Sequence, residues 1–300
     1  SMSEPVLDDP DWRGKRVLVA GGTAGLGLVV ARQLARRRAR LAIVGRSSEG
    51  VRRGMERILV DHPRSAVEGI SADLASPGEA DRVAASATHA LGGLDAVVHC
   101  VGRSGRAKLL STSASTIEQY VHDNLFAAVE VTRATADAIS ESRGAMIYVG
   151  SLAGKFSAPF MGPYCVAKRA LAAYVEAVRL ELAPTGVRVL LVSTGPIQRL
   201  DAGERYDDDV TREGLPAQAA RPGGGASLRP IDPIVLAERV LAASAAGRPE
   251  LVMPRSAAIL AGLIEWFPSL GRRLLIRRLS SGREMPQNSP RAGDTPPGTR

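Results

Sequence analysis

The chain has 300 residues, 45% hydrophobic and 23% charged, with a formal net charge of +8; this excludes a disulfide miniprotein and a disordered chain, and leaves room for one large core. Positive charge alone would suit nucleic acid or an anionic membrane, but only 4% of residues are aromatic, few for stacking bases, and no nucleic-acid motif is present. Two cysteines make no disulfide framework and four histidines no ligand spacing, so no metal site and a reduced, cytoplasmic setting are expected.

Residues 1–13 are polar, contain two prolines, and are expected to form a flexible arm. Lys15 to Ala20 reads as a buried parallel strand. Gly21-Gly22-Thr23-Ala24-Gly25-Leu26-Gly27 follows and opens a helical pattern. Strand, glycine loop and helix are the context of a dinucleotide site. The glycines let the backbone turn sharply and approach a pyrophosphate. The helix start adds N–H groups and partial positive charge. Gly21, Thr23, Ala24, Gly25, Leu26 and Gly27 are therefore candidate cofactor contacts.

The cluster Arg36-Arg37-Arg38-Arg40 is expected in solvent at that helix's end. Arg40 to Val44 is a second strand, ending in Gly45-Arg46-Ser47. An acid near this end suits the ribose 2′-hydroxyl of NAD, whereas an Arg suits the 2′-phosphate of NADP. Gly45 stands where the acid is expected, so Arg46 and Ser47 favour NADP(H) over NAD(H). Residues 49–61 read as a helix. Ala66 to Ser71 is the third strand, bringing Asp73 and Leu74 to the sheet edge beside the adenine. Another helix spans 77–92. Asp95 to Cys100 is the fourth strand, and Gly102 follows it.

Residues 113–139 form one long amphipathic pattern, in which Asn124 is by pattern only a poor helix former. Ala145 to Val149 is the fifth strand, with Ser151 just beyond it. Tyr164 and Lys168 lie i and i+4 on the next helix, hence on one face. A nearby ammonium favours phenolate, which makes Tyr164 a candidate general acid/base. Ser151 would hydrogen-bond the same substrate oxygen. Ala167, Ala170, Ala172, Ala173 and Ala177 suit close helix packing, either between subunits or within the chain. Val187 to Val192 is the sixth strand and leads to Gly195-Pro196-Ile197.

Residues 196–230 are polar and irregular, as a flap over substrate would be. Asp232-Pro233 opens a helix with Asp as its cap. Leu251 to Met253 is the last strand. Residues 256–280 form an apolar and Arg-rich helical extension broken at Pro268. Its apolar part is too short to span a bilayer. It could lie in a membrane interface, cover the pocket, or join subunits. Residues 281–300 are expected to be a disordered tail. Residues 14–255 thus read as one α/β domain. It is a Rossmann-type, doubly wound, mainly parallel sheet of about seven strands with helices on both faces.

The loop spacing G-x-x-x-G-x-G, with Asp73, Asn124, Ser151, Tyr164, Lys168 and Gly195-Pro196 in this order, resembles the short-chain dehydrogenase/reductase family. The resemblance covers roughly residues 14–255. It implies that Tyr164 is the general acid/base, and that Lys168 lowers its pKa and holds the nicotinamide ribose. Ser151 would orient the carbonyl, and Asn124 would hold a water in the proton relay. The Gly195-Pro196-Ile197 backbone would meet the carboxamide. It also implies a homodimer or homotetramer. His99-Cys100-Val101-Gly102 replaces the family's Asn-Asn-Ala-Gly, and Thr194 replaces a Pro. The extension is similar to those of membrane-associated reductases acting on steroids or long-chain lipids.

The expected function is an NADP(H)-dependent oxidoreductase interconverting a carbonyl and a secondary alcohol on a small, hydrophobic, steroid- or lipid-like molecule. It would be cytoplasmic or peripheral to a membrane. One alternative is a 3-oxoacyl-thioester reductase that docks an acidic carrier protein on Arg103 and Arg106. The other is a non-catalytic NADP-binding sensor or lipid module, against which the full Asn–Ser–Tyr–Lys set argues.

Overall fold

The computed structural model describes residues 9–198, 206–225 and 229–280. Seven short runs rich in Val, Ile, Leu and Ala pair side by side. They are β1 (Arg16–Ala20), β2 (Arg40–Gly45), β3 (Val67–Ser71), β4 (Ala96–His99), β5 (Ala145–Val149), β6 (Arg188–Thr194) and β7 (Glu250–Met253). All pairings are parallel, in the order β3-β2-β1-β4-β5-β6-β7.

The helices between strands are α1 (Gly25–Arg36), α2 (Ser48–Asp61), α3 (Glu79–Leu91), α4 (Ala114–Val121), α5 (Ala127–Glu141), α6 (Gly162–Leu182), α7 (Asp207–Arg212) and α8 (Pro233–Ala245). Strand side chains alternate between two cores, as a period of two requires. Leu18, Val97, Met146 and Leu191 pack with α3, α5 and α6. Val19, Ile43, Val98, Ile147 and Leu190 pack with α1 and α8. Burial on both faces explains why the five inner strands read as near-continuous apolar runs, while the edge strands β3 and β7 are only partly buried. The chain winds outward from β1 to β3, then crosses to β4 on the other side of β1. The loops after β1 and β4 part at this reversal and open a crevice.

The predicted strands and helices are present in order. β6 runs on to Thr194 because its last four residues pair with β7. α8 is capped as expected, Asp232 Oδ1 accepting from the N–H groups of Ile234 and Val235. The 113–139 pattern is not one helix: a π-helical turn, His122–Phe126, separates α4 from α5. On α6, Ala167 is buried and Ala172 packs on the first core, whereas Ala173 and Ala177 are exposed beside Val166 and Leu180.

In the arginine cluster after α1, Arg38 and Arg40 are exposed as expected, and the departure is at Arg37. Arg37 is buried, its Nε donating to Asp9 Oδ2 at 2.9 Å and its Nη1 to Gln33 Oε1 at 3.1 Å. Trp12 is buried in the second core. The arm expected over 1–13 is therefore anchored from Asp9 onward, because a buried guanidinium needs its carboxylate. Residues 1–8 and the expected tail at 281–300 lie outside the described residues.

Of the polar segment 196–230, residues 199–205 and 226–228 lie outside the described residues. The remainder holds α7, a short 3-10 turn at Ala217–Ala220, and a kinked turn at Pro222–Gly225 in which Gly223 and Gly224 adopt positive φ. The extension forms α9 (Arg255–Trp266) and α10 (Pro268–Ser280), broken at Pro268 as predicted. The two helices touch where Gly271 meets α9: a Cβ there would lie 2.6 Å from Ile264 Cα. No helix among the described residues is long and apolar enough to cross a membrane.

Candidate active site

At the reversal, β1 ends and the chain turns through Gly21, which adopts φ +80. The Gly21 and Gly22 N–H groups both donate to Val44 O. α1 then starts almost in contact with the loop: a Cβ on Gly27 would fall 2.1 Å from Gly21 O. Only glycine fits there. The cap residue Ala24 has no side-chain acceptor for the first-turn N–H groups, and no acid lies in that turn. An anion at this helix start would meet unopposed positive dipole. Loop and helix thus fit a dinucleotide's pyrophosphate.

A cleft of about 1300 Å³ runs from this loop across the carboxyl ends of the strands. Its wall includes Gly21, Thr23, Ala24, Gly25, Leu26, Gly27, Arg46, Asp73, Leu74, Gly102, Ser151, Tyr164, Lys168, Gly195, Pro196 and Ile197. Two predicted residues stand apart from it. Ser47 caps α2, its Oγ accepting from Gly50 N–H at 3.1 Å. Asn124 is buried behind the wall, in the π turn.

The side chain of Asn124 clasps the loop after β4. Its Oδ1 accepts from Arg103 N–H at 3.1 Å, and its Nδ2 donates to the Arg103 and Tyr120 carbonyls at 2.9 Å each. This brings Gly102 against Lys168. A Cβ on Gly102 would lie 2.8 Å from Asn124 Oδ1 and 2.9 Å from Lys168 Nζ.

Lys168 is buried, with its Nζ 5.8 Å from the centre of the Tyr164 ring and 3.4 Å from Val149 O. Burial pushes its pKa down to about 8, against a smaller opposing pull from Cys100. The ammonium still predominates at neutral pH. Ser151 Oγ accepts from Ala153 N–H at 3.1 Å, which leaves its own proton for another partner. The Gly195–Ile197 backbone is held in place by hydrogen bonds from Gly195 N–H to Met253 O and from Ile231 N–H to Pro196 O, both 2.8 Å.

The departures after β4 add no charge. His99 is buried and neutral, its pKa lowered to about 3 chiefly by burial, and neither ring nitrogen has a hydrogen-bond partner among the described residues. Burial raises the Cys100 thiol to about 12.

Some residues of the site were not anticipated. Arg57 of α2 lines the same cleft as Arg46. Leu152, Phe156, Met161 and Tyr206 line it as well. Arg106, expected to help dock a carrier protein, is only 1% exposed. Its guanidinium donates to the carbonyls of Ala219 at 2.6 Å and Arg221 at 3.0 Å, and covers the Tyr206 ring at 3.7 Å. It is enclosed by the polar segment and offers nothing to a macromolecule. Only that segment's aromatic, Tyr206, could have signalled the contact in advance.

A parallel sheet in this strand order, with a glycine loop at its reversal, is a Rossmann-type dinucleotide-binding fold. The family profile described as short chain dehydrogenase matches residues 15–209, and the chain belongs to this family of oxidoreductases, the short-chain dehydrogenase/reductases. Among its relatives is hydroxysteroid 11-beta-dehydrogenase 1-like protein A of Xenopus laevis, 26% identical over 91% of this chain and 89% of that protein. A ketoacyl reductase of Nostoc sp. is 28% identical over 62% of this chain and 64% of its own length.

Among solved structures, a short-chain dehydrogenase from Streptomyces avermitilis superposes with a TM-score of 0.68 at 22% identity, covering 87% of this chain and 99% of that one. L-sorbose reductase from Gluconobacter frateurii, complexed with NADPH and L-sorbose, has a TM-score of 0.68 at 19% identity, over 79% and 94%. At these identities the likeness is one of fold.

Proposed function

We propose that this oxidoreductase uses NADP(H) to interconvert a carbonyl and a secondary alcohol on a hydrophobic, steroid- or lipid-like molecule. The observation that carries the reading is that Ser151, Tyr164 and Lys168 open onto the same cleft as the glycine loop. A nicotinamide nucleotide bound along that cleft supplies or accepts the hydride. Tyr164 and Lys168 would hold its nicotinamide ribose, Gly195, Pro196 and Ile197 its carboxamide, Asp73 and Leu74 its adenine, and Arg46 its 2′-phosphate.

The proton is handled by the chain's own side chains. The Tyr164 hydroxyl gives a proton to the carbonyl oxygen during reduction and recovers it during oxidation. The Lys168 ammonium beside the ring favours the phenolate. Ser151, whose Oγ already accepts from Ala153 N–H, donates to the same substrate oxygen. Two donors then share the developing negative charge. Asn124 has its amide engaged with backbone groups of the loop. Its part is to hold Gly102 against Lys168, and any relay through it would use its main-chain carbonyl.

Apolar substrates are favoured because Leu152, Phe156, Met161 and Ile197 line the cleft, and Tyr164 packs against the small apolar cluster that holds Met161. The segment around Tyr206 is read as a flap over this wall. Of the two arginines of the carrier-protein alternative, Arg106 is enclosed, whereas Arg103 is exposed at the cleft, so that reading would rest on Arg103. Nucleotide oxidation, followed by absorbance against ketones of increasing apolar size and a 3-oxoacyl thioester, tests the reading. NADPH should be consumed fastest with large apolar ketones, and NADH slowly. Preference for the thioester would favour the alternative, and no turnover with any substrate would leave a sensor.

The α9–α10 hairpin supports a peripheral lipid contact. Ile259, Trp266, Phe267, Leu270 and Ile276 are exposed on it, with Trp266 at 82%, and so are Arg272, Arg273 and Arg277. Exposed apolar and aromatic groups beside arginines fit an anionic bilayer interface. The protein should sediment with vesicles containing phosphatidylglycerol, and a Trp266→Ser, Phe267→Ser double variant should stay in solution. Equal sedimentation of that variant would return the hairpin to covering the pocket or joining subunits.

A further inference from the structure

The adenosine end of the cleft is built without a carboxylate at the end of β2. A Cβ on Gly45 would lie 2.6 Å from Thr23 Cγ2 and 2.7 Å from Thr23 Oγ1, so the glycine loop fills the space an acid would need. Arg46 follows and lines the cleft. The loop itself, with Thr23 and Ala24, carries no cation.

α2 lies directly on this loop through Gly54, where a Cβ would sit 3.1 Å from Thr23 Cα. Arg57 is three residues further along the same helical face. Helical side chains lean toward the helix N-terminus, so Arg57 leans back over the turn that touches the loop. It lines the cleft with Thr23, Ala24 and Arg46.

The acids of α2 are already engaged. Glu49 pairs with Arg52 and Arg53, Glu56 with Arg52, and Asp61 with Arg32. Asp73, the carboxylate at the neighbouring strand end, accepts from Ala75 N–H. Arg46 and Arg57 have neither an ion pair nor a side-chain hydrogen bond among the described residues. Two guanidinium groups without counter-charges, from two elements and on one stretch of wall, suit a dianion.

We propose that Arg57 completes a two-arginine clamp with Arg46 for the 2′-phosphate of the adenosine, supplying from α2 the second cation that the glycine loop lacks. This rests on the NADP reading and assigns a specificity role to a helix residue.

Calorimetric titration of 2′,5′-ADP and 5′-AMP into the native protein, Arg57→Ala, Arg57→Lys and Arg46→Ala tests the clamp without turnover. The native protein should prefer 2′,5′-ADP. Arg57→Ala should weaken that ligand about ten-fold and leave 5′-AMP unchanged. Arg57→Lys should recover part of the loss, and added salt should narrow the difference. An unchanged 2′,5′-ADP affinity in Arg57→Ala, or an equal loss for both ligands, overturns the assignment. If Arg46→Ala alone abolishes the preference, Arg57 has no part and the NADP reading stands. If the native protein shows no preference, both fall.

Discussion

Tyr164→Phe should lower kcat for ketone reduction by about 10²- to 10⁴-fold, the span over which general acid–base groups contribute, a larger effect than the loss of one ribose contact should have on nucleotide affinity. The substitution removes one oxygen and keeps the ring, whose centre lies 5.8 Å from Lys168 Nζ. What disappears is the proton that must reach the substrate oxygen as hydride arrives at carbon. Ser151→Ala should cost less, because it removes a donor to the oxyanion but leaves the acid. The pH profile adds a second reading. Burial holds the Lys168 ammonium near a pKa of about 8, so it is charged below that pH and neutral above it. The kcat/KM of the free enzyme should therefore fall on the alkaline side of about pH 8, as the phenolate loses its cation. Turnover of Tyr164→Phe at the native rate would remove the tyrosine from the chemistry.

The parts of this site legible in the sequence are those whose signal is local. Gly21, Gly25 and Gly27 mark a turn because their spacing alone lets α1 approach the loop, and the contact of Gly27 with Gly21 O spans only six residues. Tyr164 and Lys168 share a face by helical period, and Ser151 follows a strand. The apolar runs of β1, β2, β4, β5 and β6 signalled the doubly wound sheet for the same reason, each being buried on both faces, whereas the edge strands β3 and β7 are only partly covered.

The missed features depend on distant partners. Nothing near Arg37 indicates that Asp9 will receive it. Arg57 reaches the cleft only because Gly54 lets α2 rest on Thr23, and a glycine within a helical pattern reads simply as a poor helix former. The π turn at Asn124 has no periodic signature of its own, since the apolar spacing continues across it. Its effect, turning the Asn124 amide onto Arg103, emerges only when the loop after β4 packs beside α4.

Arg106→Leu should release the segment over the substrate wall, raising KM for a large apolar ketone at least about ten-fold with little change in nucleotide affinity. In a chain rich in arginine, which one is enclosed depends on carbonyls more than a hundred residues away, those of Ala219 and Arg221. The same loop also fixes α7 and Tyr206: Arg106 N–H donates to Asp209 Oδ2 at 3.1 Å, and Ser104 Oγ lies 2.5 Å from the Tyr206 hydroxyl. Leucine fills much of the arginine stem's volume but takes the guanidinium donor from the Ala219 and Gly105 carbonyls, at roughly 1–3 kcal/mol each, while the Arg221 carbonyl keeps its bond from Gly224 N–H. The segment is peripheral to both main cores, so the loss should appear as local opening and not as global unfolding. Hydrogen exchange should then accelerate across residues 207–221 while the strand amides keep their protection. Arg106→Lys should fall between, because one ammonium cannot reproduce the planar fork that spans two carbonyls. Unchanged exchange in Arg106→Leu, together with an unchanged KM, would mean that the segment is held by its own turns, with Arg106 only filling space beneath it.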